Sequence, residues 1–405
     1  MLTTHFLEDQ FCNQSSSIEQ WFSNAIQAHQ PPIYGSVDLR YAGFKISPVD
    51  MNLFPAGFNN LSENQRQSCI ALAKKSLCHS LQTLERILLI PESHTRNAFY
   101  WDNVKTLKEI LDQAHFDVRI GLLPDETATS SDILSSSGDT VVAEVIERRG
   151  DQLILPHFIP DMILLNNDLA EGVPAILKGL KQMILPSTQL GWRSRFKSHY
   201  FAYYRTVAHQ FAAHFHFDPW LITPYFEYCE GVDFMQQAGL TCLFEIASNL
   251  FQKIKAKYDE YHVSHQPFLM IKADQGTYGM AVMTVRDPQE LTQLNRKKRT
   301  QMSVTKGNQP VKRVIIQEGV YTFETTGADH AVSEPVVYLW GFDVAGGFYR
   351  VHQSRGIDEN LNSPGMHFKP LPFSPVCTDD KRIYLYNVIA KLSMLAAAKE
   401  IKEIC

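Results

Sequence analysis

The sequence lacks three features that would assign it quickly to a class. It has no Cys-x-x-Cys pair, no apolar run close to the roughly 18 residues of a membrane span, and no basic, apolar leader at its N-terminus. Its seven cysteines are scattered and odd in number, which favours neither a disulfide framework nor a zinc site. We therefore expect free thiols, mostly within the core, in a cytoplasmic protein without a membrane partner.

An excess of positive charge is also missing. Lys and Arg number 38 against 43 Asp and Glu, for a net charge of -5. Nucleic acid is not an expected partner, because binding to a phosphate backbone needs a basic surface. The 405 residues exceed what one hydrophobic core usually serves, so we predict two domains, 1–190 and 191–405. The composition leaves a homo-oligomer open.

The first half alternates between helical and extended patterns. A helix from 62 leads into an apolar strand at 87–90, and a second helix at 101–114 leads into a strand at 118–123. A Ser-rich loop at 127–138, a hairpin of 140–147 with 152–155 and a buried strand at 161–167 follow. This order predicts an α/β domain with a parallel, helix-covered sheet.

The second half has an α+β pattern. We predict helices at 195–216, 235–261 and 383–404, and strands at 268–272, 280–285, 313–317, 335–342 and 348–352. The polar segment 293–310 is predicted to be an exposed loop or lid. Its run Arg296-Lys-Lys-Arg299 is more typical of a solvated surface than of a phosphate contact.

A lysine beside a glycine-rich loop is the most informative motif. The strand at 268–272 ends in Lys272, and Gly276 and Gly279 follow before the next strand. Glycines let backbone N–H groups approach phosphate oxygens, and an ammonium adds a point charge. The motif is not a P-loop, because no Gly-Lys-Ser/Thr and no helix follow. Alone, it is more typical of a hairpin turn with a surface lysine than of a phosphate site.

Other polar clusters follow in an informative order. The apolar strand at 313–317 leads to Gln317 and Glu318, which suit the adenine edge and ribose of a nucleotide. Arg350 is followed at 358–365 by oxygen-bearing side chains of the kind that Mg²⁺ prefers. A cationic cluster at 192–199 stands at a predicted helix start.

This order of motifs resembles the ATP-grasp superfamily, and bacterial glutathione synthetase within it, over about residues 160–370. Residues 36–60, 218–222 and 359–368 extend the resemblance. They are similar to the glutamate-cysteine ligase family first met in acidophilic proteobacteria, over nearly the whole chain. The resemblance implies a pre-ATP-grasp-like N-terminal domain followed by an ATP-grasp-like domain.

The resemblance also implies an activity. It is the ATP-dependent joining of the side-chain carboxylate of L-glutamate to the amine of L-cysteine through an acyl phosphate, with Mg²⁺. The implied nucleotide contacts are Lys197, Lys272, Gly276, Thr277, Tyr278, Gly279, Gln317, Glu318 and Val320. The implied catalytic residues are Lys272, Arg350 and Asn360. An ATP-grasp ligase for other substrates and a catalytically silent nucleotide-binding protein remain alternatives.

Polar residues near the N-terminus are the candidates for amino-acid binding. Those between 37 and 60 show no clear helix or strand period; they are Asp38, Arg40, Lys45, Asp50, Asn52, Asn59 and Asn60. Such groups suit a zwitterion, whose carboxylate and ammonium each need a partner. The alternative is a surface loop with Asn and Asp as turn formers. Glu92, Arg96 and Asn167 join the candidates because they follow strands, where open α/β sheets bind ligands; for 91–97, a helix cap is equally consistent.

The metal ligands are the least determined part of the site. The synthetase pattern ends with an aspartate on a strand and a Glu-x-Asn that hold magnesium, and no such pair follows Gly365. The candidates are Glu334, Asp343, Glu359, Asn360 and Asn362. The sequence does not decide among them.

Overall fold

The computed structural model describes residues 5–80, 84–92, 97–124, 131–276 and 279–404. The α-helices in these ranges are α1 (Phe6–Asn13), α2 (Ser15–Ile26), α3 (Glu63–Ser80), α4 (Ala98–Gln113), α5 (Lys197–Phe215), α6 (Leu240–Glu260), α7 (Arg296–Ser303) and α8 (Lys381–Ile404). The strands are β1 (Tyr34–Tyr41), β2 (Ile46–Asn52), β3 (Arg86–Pro91), β4 (Asp117–Leu122), β5 (Ser131–Leu134), β6 (Thr140–Val145), β7 (Glu147–Arg149), β8 (Gln152–Ile154), β9 (Met162–Asn166), β10 (Met183–Leu185), β11 (Phe226–Glu230), β12 (Leu269–Ala273), β13 (Val282–Val285), β14 (Val304–Thr305), β15 (Gln309–Pro310), β16 (Arg313–Glu318), β17 (Thr325–Thr326), β18 (Ala331–Trp340), β19 (Asp343–His352) and β20 (His367–Pro370).

A largely parallel sheet occupies the first half, as predicted. Its order is β10-β9-β3-β4-β6-β5, and every pair is parallel except β5 with β6. Successive residues of β3 point to opposite faces: Ile87 and Leu89 join the core that α3 and α4 cover, whereas Leu88 and Ile90 join the larger core on the other face. Burial on both faces explains the continuous apolar run of this strand.

A second sheet joins the two ends of the chain. Its order is β2-β1-β18-β19-β20, with β17 beside β18, and all its pairs are antiparallel. Helix α8 packs against β1, β2, β18 and β19. The sheet therefore includes residues from both sides of the boundary expected at 190, and the division into two domains stays a prediction.

The expectation of no regular period between 37 and 60 was wrong, because β1 and β2 occupy most of this segment. Seven of the eight residues of β1 are buried, so polar and apolar residues do not alternate along it. The register of the β1–β2 pair also shifts after Asp38. Burial on both faces and this irregularity together hide the two-residue period of a strand.

The third sheet is antiparallel and has the order β11-β16-β12-β13. It contains the predicted strands at 268–272, 280–285 and 313–317, and β12 pairs with both β13 and β16. The glycine-rich loop connects β12 to β13. Lys272 and Gln317 therefore lie on neighbouring strands of one sheet.

Three secondary-structure expectations needed correction. The segment 293–310 is not a plain loop: it contains α7, which the fully buried Met302 anchors, and the β14–β15 pair. The part of 127–138 that is described includes β5. The hairpin around 149–151 is confirmed as the β7–β8 pair, but β6 pairs with β4 and β5 instead.

The cysteines also differ from expectation in two respects: the free Cys78 and Cys242 are exposed instead of lying in the core, and two others are joined to each other. Cys12 and Cys377 form a disulfide across a sequence separation of 365 residues, a distance at which spacing gives no signal. Cys69 and Cys229 are free and buried, as expected. None of the helices in the described ranges is long and apolar enough to cross a membrane.

A buried ion pair fastens α8 to the segment before α5. Arg195 donates to both carboxylate oxygens of Glu400, and the two side chains are 1% and 0% exposed. We expect Glu400→Gln to reduce the free energy of unfolding by about 3–5 kcal/mol, because it leaves the buried guanidinium without a counter-charge. Urea denaturation measures this loss.

The matched control is the exposed pair between Lys75 and Asp343. Lys75→Gln is expected to cost less than about 1 kcal/mol, since water screens an exposed pair. Equal losses for the two variants would contradict the role assigned to the buried pair.

Candidate active site

One pocket collects most of the residues that the sequence singled out. It lies where the β1–β2 hairpin and the β18–β19 hairpin face β12, β16 and the glycine-rich loop, and it encloses about 730 Å³, part of it open to solvent. Its lining includes Asp38, Arg40, Asp50, Lys197, Lys272, Gly276, Gly279, Gln317, Glu318, Val320, Glu334, Arg350, Asn360 and Asn362.

Lys272 is held in the pocket wall by two neutral acceptors. Its Nζ donates to Gln317 Oε1 and to the carbonyl of Val49, both at 2.9 Å. Burial lowers the pKa of Lys272 to about 8, although Asp50 acts in the opposite direction. The ammonium is thus incompletely neutralised by the protein, and an anion in the pocket would stabilise it.

Lys197 and Asp50 form an ion pair beside Lys272. Nζ of Lys197, the first residue of α5, lies 2.9 and 2.8 Å from the two Asp50 oxygens and 3.8 Å from the centre of the Trp192 ring. Burial alone would raise the pKa of Asp50, but Lys197 and Lys272 together lower it. Asp50 is therefore a carboxylate between two ammonium groups.

A network of two arginines and two acids forms the opposite wall. Glu334 accepts from Arg40 Nε at 2.9 Å and from Arg350 at 2.5 Å, and Arg350 also donates to Asp38 at 2.8 Å. Burial raises the pKa of Asp38 despite Arg350, whereas the two guanidiniums outweigh burial and lower the pKa of Glu334. Among the described residues, Arg350 Nε has no hydrogen-bond partner although it is buried, so it is available to an anionic ligand.

Glu318 is fixed by residues behind the pocket. It accepts from Lys45 Nζ at 2.9 Å, from the Trp220 indole N–H at 3.0 Å and from the Tyr225 N–H at 2.9 Å. Burial lowers the pKa of Lys45 to about 8, with Glu318 partly opposing this. Lys45, a candidate for substrate binding, thus supports Glu318 and does not line the pocket. Trp220 lies in the segment 218–222 that extended the family resemblance, but it was not among the predicted site residues, and neither was Tyr225.

The metal candidates are dispersed. Asn360 and Asn362 reach the pocket and lie against Gly279, whereas the Glu359 carboxylate accepts from the Gly356 N–H at 2.7 Å within its own turn. Asp343 is exposed, pairs with Lys75, and stands seven residues from Arg350 along β19, or about 23 Å. The described parts of the chain contain no group of three or more His, Cys, Asp or Glu placed to hold a metal ion.

The remaining substrate candidates lie outside this pocket or outside the described residues. The Asn52 side chain bonds to the backbone of Phe54, as a turn former does, and Asn59 and Asn60 lie in a single turn at 58–60. Glu92 and Asn167 lie together at the carboxyl ends of β3 and β9. Arg96, Thr277 and Tyr278 fall in parts of the chain that the structure does not describe.

Comparison with known families matches the Glutamate-cysteine ligase family model to residues 8–401. The chain belongs to the glutamate-cysteine ligase family. A solved structure of a candidate gamma-glutamylcysteine synthetase from Methylobacillus flagellatus KT is 45% identical in sequence, with a TM-score of 0.90 over 98% of this chain and 96% of that one. The family predicted from the N-terminal and ATP-binding motifs is thereby confirmed, and with it the assignment to the ligases.

Two other solved structures are much less similar to this family member. D-alanyl-alanine synthetase A from Vibrio cholerae is 10% identical, with a TM-score of 0.34 over 76% of this chain and 81% of that one. A glutathione synthetase-like effector from Globodera pallida is 8% identical, with a TM-score of 0.36 over 89% and 78%. Likeness at this level supports no argument about the site. A search of curated proteins gives no match.

Proposed function

We propose that the chain joins L-glutamate to L-cysteine, with ATP converted to ADP and phosphate, and that the reaction takes place in the pocket described above. The observation that carries the proposal is the convergence of Lys197, Lys272 and Arg350 on one pocket in a member of the glutamate-cysteine ligase family. Three cations around one cavity suit a triphosphate and a carboxylate substrate.

The nucleotide contacts follow from the cations that line the pocket and from the polar groups that lack a partner there. Lys197 and Lys272 would hold phosphate oxygens, with the backbone around Gly276 and Gly279 above them. Gln317 Nε2 is buried without a hydrogen-bond partner among the described residues, which supports its donating to an acceptor nitrogen of adenine. Glu318 would act through the hinge backbone, because its carboxylate is already engaged with Lys45 and Trp220.

A divalent cation, Mg²⁺ in this proposal, fits the acidic residues of the β1–β2 hairpin. Asp38 and Asp50 are directly opposite each other in the strand register, and both line the pocket beside the phosphate-binding cations. Mg²⁺ at nucleotide sites is commonly held by one or two carboxylates plus phosphate oxygens. The ion would supply charge neutralisation for the phosphates. Asp38 and Asp50, which the sequence suggested for amino-acid binding, are thus proposed as metal ligands instead.

The metal assignment predicts a specific loss in Asp38→Asn. This variant is expected to bind Mn²⁺ in the presence of ADP about tenfold or more weakly, because one of two carboxylate ligands is lost. Electron paramagnetic resonance of free Mn²⁺ measures the change. Asp343→Asn is the control and should bind as the wild type does. If Asp343→Asn binds Mn²⁺ more weakly and Asp38→Asn binds it as the wild type does, the metal site lies instead at the β18–β19 turn.

The chemistry requires a carboxylate to become an electrophile. Transfer of the γ-phosphoryl group from ATP to the glutamate side-chain carboxylate forms an acyl phosphate and ADP. The cysteine amine then attacks the acyl carbon, the C–O bond to phosphate breaks, and the amine loses a proton. Arg350 Nε and Lys272 Nζ are the groups available to stabilise negative charge during these steps.

The test is ADP release by the purified chain with magnesium and ATP. L-glutamate and L-cysteine are supplied singly and together, and mass spectrometry identifies the product. We expect release to require both amino acids and to match the γ-glutamylcysteine formed. Turnover with another carboxylate–amine pair alone would instead identify a ligase of different specificity, and nucleotide binding without turnover on any pair would identify a silent binding protein.

The pKa of Lys272 also predicts how nucleotide binding depends on pH. Its pKa is lowered to about 8 in the unliganded protein, and a bound phosphate would raise it again. Binding therefore takes up a proton above pH 8, so the affinity for ADP with magnesium should fall by up to about tenfold per pH unit there and stay level below it. Calorimetric titration on both sides of this pH measures the slope. Lys272→Arg, which keeps its charge, should lose the slope, and a slope unchanged in that variant would contradict the assignment.

A further inference from the structure

A short segment, 304–310, lies between the glycine-rich loop and the parallel sheet. Strands β14 and β15 pair with each other, and Lys306 and Gly307 stand in the turn between them. Lys306 Nζ lies 2.7 Å from Glu92 Oε2 and 3.3 Å from Asp168 Oδ1. These ion pairs join the segment to residues more than 130 positions earlier in the chain.

The two acids need a cation at this position. Glu92 and Asp168 are 9% and 4% exposed, and they follow the neighbouring parallel strands β3 and β9. Glu92 Oε1 also accepts from the Asp168 N–H at 2.9 Å. Burial and the Asp168 charge raise the pKa of Glu92 to about 6, which still leaves Glu92 ionised at neutral pH. Two adjacent buried carboxylates are unfavourable unless a positive group compensates them, and Lys306 is that group.

The neighbouring residue contacts the glycine-rich loop. Thr305 packs so closely on Gly276 that a Cβ added to this glycine would lie 3.0 Å from Thr305 Cγ2. Gly276 has a φ of +139°, which other residues rarely adopt. On the other side, a Cβ at Gly307 would lie 3.0 Å from Glu171 Cγ. Segment 304–310 thus touches the loop and the end of the parallel sheet within three residues.

We propose that Lys306 is a positioning residue for the nucleotide site: its ion pairs with Glu92 and Asp168 hold Thr305 against Gly276 and so order the glycine-rich loop above the phosphates. The inference rests on the proposed function, because the loop can act on phosphates only if the pocket binds ATP. It gives Glu92, which the sequence suggested for amino-acid binding, a different role as an anchor of this segment.

Hydrogen exchange of the unliganded protein tests the positioning directly. Lys306→Met is expected to speed exchange of the amides at 273–276 and 304–311 by about tenfold, because the local opening no longer breaks an ion pair. Lys306→Arg should restore most of the protection. Lys298→Met, in the neighbouring helix α7, is the matched control and should exchange as the wild type does. Glu92→Gln should also speed exchange of these amides. It provides the test if Lys306→Met does not fold.

Steady-state kinetics then separate positioning from a general structural role. Lys306→Met should raise the KM for ATP about tenfold, with a smaller change in kcat and with rescue by Lys306→Arg. Wild-type exchange of the loop in folded Lys306→Met or Glu92→Gln would overturn the proposal, and so would faster exchange spread evenly over the protein. If the proposed function itself is wrong, the wild-type protein releases no ADP with the two amino acids, which is a different result.

Discussion

Replacement of Lys272 by alanine is expected to reduce turnover about 10³-fold or more. Its Nζ is placed by Gln317 and Val49 in the pocket wall, and the described lining offers no second ammonium at the same position. Loss of one preorganised charge at a phosphoryl-transfer site typically costs this much in rate. ADP release with both amino acids measures kcat.

Lys298→Ala is the matched control for this variant. Lys298 lies in α7, its side chain is 44% exposed, and its distance to Glu290 is 3.7 Å. It should keep wild-type activity. Thermal unfolding of Lys272→Ala should stay close to that of the wild type, because the lowered pKa of Lys272 shows that burial already disfavours its charge. Equal activity of the two variants would contradict the assignment of the glycine-rich loop to phosphates.

Arg350→Lys is expected to lower kcat about 100-fold although it keeps the positive charge. The guanidinium donates through one terminal nitrogen to Asp38 and Glu334, and its Nε remains available for the reacting groups. A lysine ammonium cannot reproduce this planar arrangement of donors. Single-turnover measurement of the acyl transfer separates the chemical step from binding.

Two comparisons make the Arg350 result interpretable. Arg350→Met should also lose about 3 kcal/mol of stability, because Asp38 then lacks its arginine partner and the buried Glu334 keeps only Arg40. Arg286→Lys changes an arginine that is 50% exposed and pairs with Asp358, and it should leave kcat unchanged. Wild-type kcat in Arg350→Lys would rule out a contribution from Nε and leave Arg350 a structural residue.

Local signals in the sequence were sufficient for much of the fold. The apolar runs of β3 and β9, the helices α3 and α4 and the strand that carries Lys272 all follow from periodicity and from burial on both faces. The pocket could be anticipated in the same way, because Lys272, Gln317 and the glycines are close in sequence or lie on paired strands.

Contacts between distant segments were not predictable from a single sequence. Asp38 and Arg350 meet because β1 pairs with β18, which also pairs with β19, the strand that carries Arg350. Nothing in β1 specifies a partner about 300 residues away. The Cys12–Cys377 disulfide and the Lys306 ion pairs likewise join segments that are far apart in the sequence. The proposed metal ligands Asp38 and Asp50 have the same origin: they lie on the N-terminal hairpin, far in sequence from residues 334–362, where the order of motifs had placed the candidates.

The most direct test of the account follows an oxygen atom. L-glutamate labelled with ¹⁸O in its side-chain carboxylate is turned over with L-cysteine, ATP and magnesium, and the inorganic phosphate is analysed by mass spectrometry. Activation as an acyl phosphate predicts one labelled oxygen in each phosphate released, because the C–O bond of the carboxylate breaks when the amine attacks. Product formation with unlabelled phosphate would contradict the mechanism assigned to this pocket.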